Sequence, residues 1–248
     1  MTGGNAGFAA RVAVVLRGSA RTLLVVLVAV AGFQLLVGRG SGMGDVVRSI
    51  ASALVAVLPL VFAGVCADLN QGVGSLWLQK PVSPVRLYLG RLAESAVAAA
   101  ALPLILVGGT ALVLAIGGSG DASSLIRNLP ALALWVTVVV SVGFGISAWL
   151  PRVGHVATVC VMVISFAVTL ASFLAGVDGE LQAPSRAVFL RILPPVGVLY
   201  QLGDYAAGAT AFPVGEVAWA AIYSGVWIGI GTLGVARAAN GRLVRGEG

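Results

Sequence analysis

Asp68, Glu94, His155, Cys66 and Cys160 are the residues in or beside apolar runs that chemistry would have to use. His155 is the single histidine, which argues against a haem held by two imidazoles and a zinc site built from several. Intramembrane proteolysis needs a carboxylate pair, a Ser–His pair or metal ligands at depth. The middles of the apolar runs carry no Asp, Glu, Lys, Arg or His, and the acids Asp68 and Glu94 fall at run ends. Ion-coupled transport has the same requirement, because a carried charge needs a partner within the membrane. Cys66 and Cys160 lie inside apolar runs and read as small buried thiols rather than a disulfide framework. A G-x-x-x-x-G-K-[ST] phosphate loop is absent, since the chain has no Gly-Lys dipeptide. No catalytic, cofactor-binding or metal-binding residue is therefore expected, and the chain reads as not an enzyme.

The elements that would carry other work follow from composition. The 248 residues are 59% hydrophobic and 10% charged, with a mean hydropathy of +1.03. Soluble domains average about 25% charged residues, so an all-α, polytopic membrane protein is expected. Six runs have the length and composition of membrane spans, about 20 residues each: Thr22–Gly38, Ile50–Ala67, Leu92–Ile116, Leu129–Leu150, His155–Ala175 and Val217–Ala236. The first reads as an uncleaved signal-anchor rather than a removed leader. An even count puts both termini on one side. With the termini cytoplasmic, Arg11, Arg17, Arg21, Lys80, Arg86, Arg91, Arg152, Arg237, Arg242 and Arg245 face inward, against Arg39, Arg48, Arg127, Arg186 and Arg191 outward. That asymmetry obeys the positive-inside rule and accounts for the formal charge of +6 without nucleic acid. Residues 1–21 form an amphipathic stretch, Phe8, Val12, Leu16 and Ala20 opposing Arg11, Arg17 and Arg21, suited to an interfacial helix. A partly ordered basic tail, which Gly18 permits, is the alternative.

The cytoplasmic connection 68–91, "DLNQGVGSLWLQKPVSPVRLYLGR", is too elaborate for a plain turn. "GSLWLQK" before Pro81 and "VRLYLGR" after Pro84 can each form a short helix, and the prolines break the chain between them. Ser83 can cap the second helix with Pro84 at its first position. Trp77 and Tyr88 read as interface-seeking aromatics, with Lys80, Arg86 and Arg91 at the anionic inner surface. Asp68 stands four residues before Gly72, Pro81-Val82-Ser83 begins nine residues later, and Gly90-Arg91 begins nine beyond Pro81. This pattern resembles the permease subunits of type-2 ABC exporters at the segment joining their second and third membrane helices. The six spans, the amphipathic N-terminal stretch and the basic tail "ARAANGRLVRGEG" extend the resemblance over the whole chain.

The resemblance implies one permease domain over 1–248 in the cytoplasmic membrane, with segment 68–91 docking on a separate nucleotide-binding ATPase subunit. Asp68, Gly72, Trp77, Pro81, Ser83, Arg86 and Arg91 would serve that coupling. ATP and Mg would sit on the partner, with no cofactor in this chain. Val73-Gly74-Ser75 replaces the Thr-Leu-Glu run common in the family, so no contact carried by that glutamate is expected. It further implies two copies, or one copy with a related permease, with the route between them. The outer connection 176–216 is too apolar for a free loop and is broken at Pro194-Pro195, which predicts a short dipping helix followed by a surface helix. It is similar to the outer gate of that family, with Pro194, Pro195 and Tyr200 as its residues; a surface-lying hairpin without a gating role is the other reading. Gly225 and Gly229 form a G-x-x-x-G for helix packing, with Gly231 and Gly234 beyond. Pro59 and Pro103 are candidate kinks. Phe62, Phe144, Phe166, Phe173 and Trp227 make an uncharged interior that favours a hydrophobic or lipid-like cargo. "LPLILVGGTALVLAIG" in the third span looks like the haem-export branch of cytochrome c maturation, a rival within the family. A non-transporting membrane anchor or scaffold is the rival from another class.

Overall fold

The computed structural model describes residues 83–97, 99–100, 129–150, 153–175, 191–206, 208 and 210–244. Helix α1 covers 84–97 and 99–100. It is followed by α2 (Leu129–Trp149), α3 (Gly154–Ala175), α4 (Gly197–Ala206) and α5 (Val214–Val244). The described residues are all-helical and contain no strand. The predicted spans Thr22–Gly38 and Ile50–Ala67, the interfacial stretch 1–21 and residues 68–82 lie outside them. The bounds of α2 and α3 agree with the fourth and fifth predicted runs within a residue or two, whereas α5 extends beyond the sixth at both ends.

Helix α2 is the centre of the described bundle. Trp135, Val136, Val138, Val139, Val140, Val142 and Phe144 on it are all buried, so no side of its middle is left outward. That matches its sequence, which is apolar around the whole circumference rather than along one stripe. Helices α3, α4 and α5 all pack on it, α5 most extensively. On α5 the buried side chains Ala220, Tyr223 and Ser224, together with Gly231 and Gly234, recur at helical spacing and face α2.

Glycine sets the α2–α5 distance. A Cβ on Gly145 would lie 2.6 Å from Trp227 Cε3 and 2.9 Å from the Trp227 carbonyl oxygen. One on Gly234 would lie 2.8 Å from Trp149 Nε1, and one on Gly231 would overlap the Tyr88 hydroxyl. Small residues at a helix contact admit this close backbone approach. The indole N–H of Trp149 also donates to the Ile230 carbonyl at 2.9 Å. Gly145 thus meets Trp227, and Trp149 meets Ile230 and Gly234, so α2 and α5 run parallel. Helix α3 turns back immediately: a Cβ on Gly154 would sit 2.7 Å from Ser147 Cα, at the far end of α2.

Several hydroxyl groups on these helices are satisfied locally, although the buried Ser147 Oγ on α2 finds no partner among the described residues. Thr158 donates to the Gly154 carbonyl at 2.7 Å, Ser165 to Val161 at 2.7 Å and Ser224 to Ala220 at 2.9 Å. Such back-bonding lets a hydroxyl sit in an apolar bundle without a partner on another helix. Among the described residues, one segment, Val214–Ala239 of α5, is long and apolar enough to cross a membrane, and 28% of its window is buried, which leaves most of it facing outward. Shorter apolar stretches run over Ala133–Trp149 and Val156–Thr169. At 31 residues α5 is about 46 Å long, against a hydrocarbon layer of about 30 Å.

Cys160 departs from the expectation of a buried thiol: it is exposed on α3. Val156, Val163 and Ile164 share that outward side, while Gly154, Thr158, Met162 and Ser165 are buried. Both sides of α3 are largely apolar, so hydropathy gave no means of choosing the inward one. Cys66 lies outside the described residues.

Candidate functional site

Ser83 directly precedes α1. Its Oγ accepts a hydrogen bond from the Arg86 backbone N–H at 3.2 Å, and its carbonyl accepts from Leu87 N–H at 3.1 Å. With Pro84 at the first helical position this is the predicted cap, filling an otherwise orphaned donor. The helix that follows does not stop before the third predicted run. It is helical through 97, so 84–91 is the leading end of that run rather than a separate short helix. No proline or glycine pair interrupts 85–100, and the lone Gly90 is tolerated in a helix at a cost of about 1 kcal/mol.

The basic residues of α1 are not equivalent. Arg86 is exposed, whereas Arg91 Nη1 lies 3.2 Å from Glu94 Oε2, one turn further on. The Glu94 side chain is only 8% exposed, so it is a carboxylate that needs a nearby cation. Arg91 therefore supplies charge compensation inside this chain as well as lying on the predicted coupling segment. Tyr88 differs from its expected place at the membrane surface. It is fully buried, edge-on to Phe144 with ring centroids 5.8 Å apart, and fills the space left by Gly231. An aromatic ring fits there because Gly231, opposite its hydroxyl, has no side chain. Asp68, Gly72, Trp77 and Pro81 lie outside the described residues.

The end of the bundle away from the α2–α3 turn holds the second set of expected residues. The chain is helical at 191–192, breaks over 193–196 and resumes as α4. Pro194, Pro195 and Val196 are buried. Val196 N–H donates to the Pro194 carbonyl at 2.7 Å, and Val198 N–H to Pro195 at 3.2 Å, which satisfies the break locally. Val198, Leu199 and Leu202 bury one side of α4 against α2 and α5, and Gln201 stays exposed. The Tyr223 hydroxyl donates to the Ile192 carbonyl at 3.1 Å, tying the break to α5. Tyr200 lies on α4. Beyond α4, Gly208 adopts φ +75°, a left-handed turn that favours glycine, and Tyr205 meets Phe212 edge-on at 5.2 Å.

A cavity of about 550 Å³ lies behind the Pro194–Pro195 break. Its walls come from the break, from Thr169 of α3 and from the first turns of α5. Trp219, Tyr223 and Trp227 form a ladder up α5 from this point, with centroids 6.4 and 6.3 Å apart. Gly225 and Gly229 do not join the close seam: Gly225 is exposed, and a Cβ on either would meet nothing within 4 Å. Sequence reasoning missed Gly145, Tyr88 and Trp135 as packing residues; "VGFGIS" carried the only available signal, a small-residue cluster in an apolar run. No group of three metal-ligating side chains occurs among the described residues. Compared with family models, curated proteins and solved structures, the chain matches none.

Proposed function

We propose that this chain is the multi-pass membrane subunit of an ATP-driven exporter of the type-2 ABC class, six spans with both termini cytoplasmic. It borrows its energy from a separate nucleotide-binding subunit and works beside a second copy of itself or a related permease. The observation that carries the reading is the start of α1: a Ser83-capped helix, directly after Pro81, presents Arg86 outward and roots itself through Tyr88 between α2 and α5. A partner pressing on such a helix would act on the bundle interior rather than on a slack loop. The largely outward-facing α5, with 28% of its apolar window buried, supports a membrane setting and leaves surface for a second permease. An interior that is apolar apart from Glu94, which Arg91 pairs, favours a hydrophobic or lipid-like cargo.

Affinity capture of the tagged full chain from native membranes, followed by ATP hydrolysis measurements on the captured complex, tests the reading. Replacing Arg86 and Trp77 together by Ala lowers transport-linked hydrolysis severalfold while the complex keeps its helix content. Capture without any ATPase favours the non-transporting anchor, and normal hydrolysis and transport in the double variant removes the coupling role.

A further inference from the structure

The cavity behind Pro194–Pro195 combines an apolar interior with two opposite charges that do not pair with each other. Arg191 and Glu216 both line it, both are exposed, and neither forms an ion pair among the described residues. The walls between them are Leu193, the two prolines, Ala218, Trp219 and Ile222. Ile222 is 56% exposed and belongs to the outward apolar side of α5 with Val214 and Val226, so the cavity opens toward the apolar surroundings of that helix.

We propose that this cavity binds a zwitterionic phospholipid of the surrounding bilayer, head group at the Arg191–Glu216 mouth and acyl chain along the proline wall. A guanidinium suits a phosphate through paired N–H donors, and Glu216 suits the ammonium of a phosphoethanolamine head. An anionic head group alone would meet the Glu216 carboxylate, and a cationic one the Arg191 guanidinium. About 550 Å³ lies within the roughly 300–1,000 Å³ of small-ligand sites. The proposal rests on the membrane setting proposed above, but not on an ATPase driving the chain.

Native mass spectrometry of the full-length chain, released from mixed micelles of dioleoyl phosphatidylethanolamine and dioleoyl phosphatidylglycerol, reads the preference directly. The wild type retains the ethanolamine lipid about tenfold over the glycerol lipid, the scale of one charge-assisted hydrogen bond. Glu216→Gln erases that preference by releasing only the ethanolamine lipid, and Arg191→Gln weakens retention of both. Gly197→Leu fills the cavity from the start of α4, where an added Cβ meets nothing within 4 Å, and also weakens both. Circular dichroism confirms unchanged helix content for the two charge variants, whose side chains are exposed. Equal retention by the wild type, a preference that survives Glu216→Gln, or retention indifferent to Gly197→Leu overturns the proposal.

Discussion

Gly145 and Gly225 are both glycines in apolar helices, yet their substitution should have opposite results. At Gly145 a methyl group would lie 2.6 Å from the Trp227 ring and 2.9 Å from its carbonyl oxygen, so α2 and α5 must separate. Gly145→Ala is expected to cost about 1–3 kcal/mol, the usual range for overpacking, read as a lowered thermal midpoint in detergent. Gly225→Ala meets nothing within 4 Å and should raise the same midpoint, by up to about 1 kcal/mol, because Ala is the better helix former. The sequence makes the G-x-x-x-G at 225 and 229 conspicuous, but spacing fixes only that two residues share a side, not where that side points. Gly231 lies six positions past Gly225, roughly 120° round the helix, and it is Gly231 and Gly234 that meet Tyr88 and Trp149. Tyr88 misleads for a related reason. An aromatic near basic residues looks like a membrane-surface anchor until the glycine-lined space opposite it is known.

The helices themselves were more legible than their contacts. Periodicity is weak in α2 and α3 because both are apolar all round, yet length and composition placed their ends within a residue or two. Ser83-Pro84 announced a helix start, and the cap is present. Ser83→Ala should lower stability by about 1 kcal/mol, with faster amide exchange confined to the first turn of α1. What could not be read was where the helix beginning at 84 would end, since nothing over 85–100 forbids its continuing into the apolar run. The break at 193–196 was legible because two prolines remove two backbone donors. Its tether was not, because the Tyr223–Ile192 bond joins positions 31 residues apart. Tyr223→Phe should release that tether at a cost of about 1 kcal/mol, seen as faster exchange of amides 192 and 193 with the α2–α5 contact unchanged.

Charge divides the described bundle between two ends. Arg86, Arg91 and Arg237 belong with the start of α1, the α2–α3 turn and the end of α5, while Arg191, Asp204 and Glu216 belong with the break and the start of α5. If the first of these ends is cytoplasmic, cysteines placed at the exposed positions Thr210 and Ala238 must differ in access. In a Cys66→Ser, Cys160→Ser background, an impermeant maleimide should label Thr210→Cys from outside intact cells and Ala238→Cys only in inverted vesicles. Labelling of both from one side would remove the proposed orientation. The parallel pair α2 and α5 has a mechanical consequence of its own. Gly145 against Trp227 and Gly234 against Trp149 leave too little clearance for either helix to rotate about its axis, and the Trp149–Ile230 bond resists sliding. The two helices are therefore packed to move together, and the chain of contacts from Tyr88 through this pair reaches Ile192 by way of the Tyr223 hydroxyl.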